Sequence, residues 1–294
     1  MAIRVFTDVT SDLPASYAEA RGLTMLPMTV TLDEREYQYY ADPARDGLDI
    51  HAYYDALRAG SASHTAQVNV KLYLDVFTGA LEAGDDCVYI AFSSGLSGSY
   101  EAACLAAGQL EARFPGRLFV VDSLCASLGQ GLLVHLVLDK RDAGASAAEL
   151  AAYAEAMRLR VNHWFTVDDL MFLKRGGRVS AAAAVMGSML SIKPVLYVDN
   201  EGHLIPVSKV QGRKRALKAL PDKMAELAPQ AKDWPIFISH GDCEEDARYI
   251  ENLVQKQTGA EVRLLNAIGP VIGAHSGPGT AALFFISDGP ERGK

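Results

Sequence analysis

The chain of 294 residues predicts an α/β protein in two parts. Residues 1–162 form a doubly wound domain on a parallel sheet, and residues 163–294 an α/β domain with a mixed or antiparallel sheet. Three observations carry this expectation. Short apolar runs alternate with helical patterns through the first half, which is the order of βαβ units. In the second half two strand patterns flank Asp199-Asn200-Glu201-Gly202, a turn signal that makes a hairpin. The composition, 49% hydrophobic and 22% charged, suits a chain that buries cores on this scale.

Residues 3–7 predict the first strand, and residues 8–14 a polar loop leading into a short helix. A second strand is expected at 24–32, a helix at 49–59 and a polar linker at 61–69. The alternation continues with a helix at 70–82, a strand at 88–92 and a helix at 100–113. A strand at 118–121 and a long helix at 128–141 complete it, and the alanine-rich stretch 143–156 predicts a surface helix. Past a boundary near 160–165, strands at 192–198 and 204–210 make the hairpin. Then come a helix at 213–228, a strand at 236–239, a helix at 244–258 and a strand at 261–266. Glycine and proline at 269–279 predict a rigid turn before a last strand at 281–287. Ligands on parallel sheets sit beyond the carboxyl ends of strands, so the loops after Thr7, Phe92 and Val121 share one rim.

The net charge of −8 argues against a broad phosphate-reading surface and therefore against nucleic acid as a partner. The cysteines (Cys87, Cys104, Cys125 and Cys243) lack CxxC spacing. With no secretory signal ahead of them, they read as reduced residues of a cytoplasmic protein. No apolar stretch is long enough to insert stably in a bilayer. The histidines are scattered and none pairs with a cysteine at ligand distance, so no metal site is expected. No phosphate-binding glycine loop of the Walker type is present.

Three hydroxyl clusters carry the functional reading. Ser93, Ser94, Ser97 and Ser99 lie where an apolar strand turns into a helix, Thr65 precedes another helix, and Ser123 and Ser127 precede a third. Each residue suits helix capping. Several such turns on one rim also make a site for an anionic head group, built of hydroxyls and free backbone N–H groups. His275, within Gly269–Gly279, suits donation to a carboxylate or general-base work as well as a plain loop contact. Lys174, Arg175 and Arg178 form a basic cluster with two glycines, matched to a carboxylate or phosphate or to a solvated helix end. Lys209, Arg213, Lys214, Arg215 and Lys218 form a second, either a docking face or an ordinary charged surface. Asp8 and Asp12 read as structural, Asp8 closing an Asx-turn and Asp12 capping the helix at Pro14. A serine hydrolase using Ser94 and His275 is the competing reading, although the turn lacks the G-x-S-x-G elbow and an acid to orient the histidine. A small-carboxylate sensor is a third.

Five ordered segments together resemble one family. Phe6–Pro14, Ser93–Tyr100, Val121-Asp122-Ser123 with Ala126–Gly131, Leu173–Val179 and Gly269–Gly279 are similar to the motifs of DegV-family proteins, and they span nearly the whole chain. The resemblance implies a two-domain fold enclosing a long-chain fatty acid between the domains, with no other cofactor. It also implies a non-catalytic role as the fatty-acid-binding subunit of a fatty acid kinase. Such a subunit presents the carboxylate to a separate ATP-using partner that makes the acyl-phosphate. By motif, Thr65 and Ser94 would hold the carboxylate, with His275 close by and Ser93, Ser97, Arg175 or Arg178 in support. Lys209, Arg213 and Lys214 would face the kinase subunit. The chain departs from the family pattern where Thr65-Ala66-Gln67-Val68-Asn69 replaces the usual Thr-Ser-Gln-Pro-Ser, which places more of the carboxylate on Ser94. Gln211 stands where an arginine is common.

Overall fold

A computed structural model describes residues 2–180 and 192–293. The chain runs β1 (Ile3–Asp8), α1 (Ala15–Ala20), β2 (Leu23–Leu26), β3 (Met28–Leu32), β4 (Arg35–Tyr39), α2 (Pro43–Asp46) and α3 (Ile50–Arg58). It continues through β5 (Ser63–Ala66), α4 (Val70–Glu82), β6 (Asp86–Ala91), α5 (Ser99–Glu111), β7 (Leu118–Asp122), α6 (Leu128–Asp142) and α7 (Ala147–Met157). Then follow β8 (Val161–Thr166), α8 (Met171–Arg175), β9 (Ile192–Val198), β10 (Leu204–Gln211) and α9 (Arg213–Leu227). The last elements are β11 (Ile236–His240), α10 (Glu244–Thr258), β12 (Val262–Ala267), α11 (Pro270–Ser276) and β13 (Ala281–Ile286).

These strands make a parallel sheet β2-β1-β6-β7, a mixed sheet β10-β9-β8-β13-β11-β12 and a small antiparallel sheet β4-β3-β5. In the mixed sheet only β11 and β12 pair in parallel. The α/β class, the parallel first sheet and the mixed second sheet are as the sequence predicts. The first sheet is covered on both faces. One face packs with α6 and α7 through Val5, Val88, Ile90 and Val121, and the other with α3, α4 and α5 through Phe6, Cys87, Tyr89 and Ala91.

Helix α6 explains how the two sheets join. Leu128, Leu132, Leu133, Val134, Leu136, Val137 and Leu138 are all buried, so it is apolar around most of its circumference. Such a helix needs cover on two sides. It finds the first sheet on one side and the inner face of the mixed sheet on the other, through Phe165, Leu196, Phe237, Ala282 and Phe284. One core therefore runs across both sheets.

Four expectations change. The strand predicted at 24–32 is two strands in different sheets, because Pro27 has no N–H to continue a ladder and the chain leaves one sheet for the other there. The linker at 61–69 contains β5, an edge strand whose alternation is too polar to read from hydropathy. The junction expected at residues 162 and 163 lies inside β8, a wholly buried strand of the mixed sheet. The rigid turn at 269–279 is in its first part the helix α11, with Pro270 at its start, where a missing N–H costs nothing. The alanine-rich helix α7 is half core, burying Ala147, Leu150, Ala151, Ala154 and Met157. Among the described residues no helix is long and apolar enough to cross a membrane, and all the cysteines are free.

The tightest crossing in this core is where α6 meets β8. A Cβ on Gly129 would lie 2.0 Å from His163 Nε2. His163 cannot yield, since its Nδ1 lies 3.1 Å from the Val161 carbonyl and its Nε2 accepts from Ala126 N at 3.3 Å. Both bonds fit a neutral ring protonated on Nδ1, and burial pushes its pKa well below the usual value. Gly129→Ala is expected to destabilise the protein by about 1–3 kcal/mol despite the better helix propensity of alanine. Chemical denaturation reads this directly; an unchanged or raised midpoint would count against so close a packing.

Candidate functional site

A cavity of about 210 Å³ lies between the two large sheets, closed on one side by α11 and at its edge by β3 and β5. Its walls are mostly apolar: Phe92 and Leu96 from the loop after β6, Phe165 and Phe284 from the mixed sheet, Val271 and Ile272 from α11. Leu173, Val198 and Leu204 add to them. Thr65, Ser97, Arg178 and His275 are among its polar lining residues.

Thr65 and His275, 210 positions apart, are brought together by the packing of β5 on α11. Thr65 Oγ1 lies 2.8 Å from His275 Nε2, while the buried Nδ1 has no hydrogen-bond partner. A Cβ on Gly176 would sit 2.3 Å from that Nδ1, so the glycine after α8 is what lets the imidazole lie flat against the backbone. Burial first, then Arg178 and His64, push the His275 pKa down to about 4. At neutral pH the ring is uncharged and can give a ligand one hydrogen bond but no charge.

The charge comes from Arg178. Its Nε donates to the Leu96 carbonyl at 3.2 Å and its Nη1 to the Gly176 carbonyl. Among the described residues it forms no salt bridge, and the only influence on its pKa is burial, which lowers it. A half-buried guanidinium facing an apolar cavity without a carboxylate is an electrostatic vacancy for an anion.

The serines divide. Ser97 lines the cavity; its Oγ lies 3.0 Å from Ser99 Oγ and accepts from Ser99 N. Ser93 is buried and structural, its Oγ donating to the Gly202 carbonyl at 3.0 Å and so tying the turn to the β9–β10 hairpin. Ser94 is not among the cavity-lining residues, and its backbone N–H donates to Asp122 Oδ1 at 3.2 Å. Ser97, three residues further along the same loop, does line it. This geometry also lacks the hydrolase pairing, since the hydroxyl on His275 is that of Thr65 and not of a serine.

The basic residues divide as well. Arg175 is exposed and its guanidinium stacks over the Phe172 ring, 4.6 Å from the centroid. Arg213 is committed to structure: it bonds Asp246 Oδ2 at 2.8 Å and the Gly279 carbonyl at 2.6 Å. Lys209 on β10 and Lys214 on α9 are exposed. Asp12 does not cap α1; its carboxylate is buried, as described below, and Asp8 accepts from Thr10 N as the expected Asx-turn.

Sequence reasoning missed Gln67, His163 and Thr280 as wall residues, while Ser127, named from the hydroxyl rim, does line the cavity. His163 enters only because β8 forms the cavity floor. Asp199, Glu201 and His203 bring ligand-type atoms within 4.8 Å of one another on the β9–β10 turn.

The comparisons agree with this architecture. The DegV family model matches residues 2–288. A DegV domain-containing protein of Clostridium perfringens is 38% identical over 288 residues, covering 98% of each chain. One from Lactococcus lactis is 37% identical over 289 residues, again covering 98% of each. Among solved structures, a DegV-family protein from Thermus thermophilus, described for its fatty acid binding, superposes with a TM-score of 0.86. It is 31% identical, over 98% of this chain and 100% of that one. DegV of Bacillus subtilis, a fatty-acid-binding protein, gives a TM-score of 0.81 at 28% identity over 98% and 100%. With the family model matched over residues 2–288 and relatives 37–38% identical along 98% of the chain, the chain belongs to the DegV family.

Proposed function

We propose that this protein binds one long-chain fatty acid, with the carboxylate at Thr65, Ser97, His275 and Arg178 and the tail in the apolar cavity. The observation that carries this is the Arg178 guanidinium, which faces a mostly apolar space with no carboxylate of the described chain to balance it. An amphiphile with one anionic end matches both halves of the site. Burying methylenes contributes about 0.8 kcal/mol each, and the donors offset the desolvation of the head group. The relatives described as fatty-acid-binding support the same reading.

The finer reading is that the protein presents this carboxylate to a separate ATP-dependent kinase subunit, which forms the acyl-phosphate. It rests on the family resemblance and on the absence of a Walker-type loop in the sequence. A neutral His275 beside the carboxylate fits it, because one oxygen is held by hydrogen bonds and the other stays nucleophilic.

Protein purified from cells is expected to yield about one fatty acid per chain by mass spectrometry of an organic extract. No extracted lipid, together with no uptake of added fatty acid, would overturn the binding reading. The finer reading requires acyl-phosphate from ATP, the loaded protein and a fatty acid kinase subunit, and fails if loaded protein gives none.

A further inference from the structure

Behind the cavity lies a second chamber of about 520 Å³, between the loop after β1, the α2–α3 segment and the start of α11. The two share one lining residue, Ile268. We propose that Ile268 is the residue that sets acyl-chain length, as the end wall between the fatty-acid cavity and this chamber; the proposal rests on the fatty-acid reading above.

Position supports it. Ile268 lies two residues ahead of α11 (Pro270–Ser276), so it sits beyond the N-terminal end of that helix while His275 lies in its last turn, beside the polar groups. The wall is rigid. Ile268 N donates to the His240 carbonyl at 2.7 Å, its carbonyl accepts from Tyr54 Oη at 2.9 Å, and the residue is 1% exposed. Beside it the wall is completed by Ser127 Oγ, 2.5 Å from Asp12 Oδ2, one residue facing each space.

The chemistry of the second chamber suits a tail and not a head. Leu13, Tyr39, Ala41, Leu48, Ile50 and Pro270 supply apolar surface. No lysine, arginine or histidine lines it, whereas Asp12, Asp46 and Asp49 do. A carboxylate would meet these acids and no cation of the described residues there, so an acyl chain enters methyl end first. Asp12 and Asp46 are already held by hydrogen bonds, from Gly269 N at 2.8 Å and from Tyr40 N at 2.5 Å. They make no demand on a passing methylene.

The test is an affinity series of saturated fatty acids from fourteen to twenty-two carbons on delipidated full-length protein. Wild type is expected to gain about fourfold per methylene until the tail reaches Ile268, and nothing or a loss beyond it. Ile268→Ala is expected to move the optimum at least two carbons longer, raising affinity for the longest acids at least tenfold relative to wild type. Ile268→Val, a milder cut in case the alanine variant folds poorly, moves it in the same direction by less. Adding Leu48→Trp, which fills the second chamber, to Ile268→Ala restores the wild-type order. An unchanged chain-length order in both Ile268 variants, with tight binding of the shorter acids kept, overturns the end-wall proposal alone. No binding of any acid by wild type overturns the fatty-acid reading itself.

Discussion

Arg178→Met is expected to weaken fatty-acid binding by about 2–4 kcal/mol, or ~30- to ~1000-fold in Kd, with little change in the stability of the empty protein. The two outcomes separate for a physical reason. In the empty protein the guanidinium is half-buried without a carboxylate partner, and burial already acts against its charge. Methionine removes that desolvation cost and keeps most of the apolar stem, at the expense of the bonds to the Leu96 and Gly176 carbonyls. In the loaded protein the same change strips from a desolvated carboxylate the one cationic donor that the described residues place at the cavity. His275 cannot replace it, being held neutral, and Thr65 and Ser97 offer hydroxyls alone. Calorimetric titration with palmitate, beside its methyl ester, separates charge from packing. Wild type should prefer the free acid strongly, and Arg178→Met should lose the preference. Equal affinities for the acid in the two proteins would remove Arg178 from the site.

The parallel sheet and its helices are legible because their apolar runs are strong: five of six residues of β6 are buried, and α6 is apolar on nearly every side. The small sheet was hidden because its strands are edge-like. Ser63–Ala66 alternates polar and small residues, and its place is set by pairing with β3 instead of by hydropathy. Of the polar residues lining the cavity, Thr65, Ser97, Arg178 and His275 are ones the sequence reading names, but which of the loop serines lines it is not legible there. Ser93, Ser94 and Ser97 share one loop, and which hydroxyl turns inward depends on contacts from residues far along the chain. The Gly202 carbonyl takes the Ser93 hydroxyl, and Asp122 takes the Ser94 backbone. Likewise nothing local distinguishes Arg175 from Arg178. Phe172 stacks on the first, and the Leu96 carbonyl captures the second.

Asp12→Asn is expected to be more stable than wild type at pH 9, the gap opening between about pH 4 and 8 and already partly open at pH 5. Asp12 sits in a left-handed turn (φ 51°) and joins three pieces of the fold. Its Oδ1 accepts from Gly269 N at 2.8 Å, its Oδ2 lies 2.5 Å from Ser127 Oγ, and its carbonyl accepts from Asn266 Nδ2 at 2.8 Å. Burial pushes its pKa up from 3.8 to about 8; the bonds from Ser127 and Gly269 oppose this, and Asp8 adds to it. Between those values the folded chain keeps a proton that the unfolded chain has released, so stability falls as pH rises through that window and levels off above it. A span of about 4 pH units at about 1.4 kcal/mol each sets a ceiling of roughly 6 kcal/mol, against a total of about 5–15 for a typical domain. Asparagine is neutral throughout and can still accept from Gly269 while its amide faces Ser127. His275, whose lowered pKa makes stability rise with pH between about 4 and 6.5, is common to both proteins and cancels in the difference, whereas Asp8 is coupled to Asp12. Urea unfolding of the pair at pH 5, 7 and 9 therefore reads Asp12 together with its coupling to Asp8. A difference that stays flat across the three would mean that Asp12 is ionised throughout. The join between the two sheets would then be held by a buried charge instead of a neutral acid.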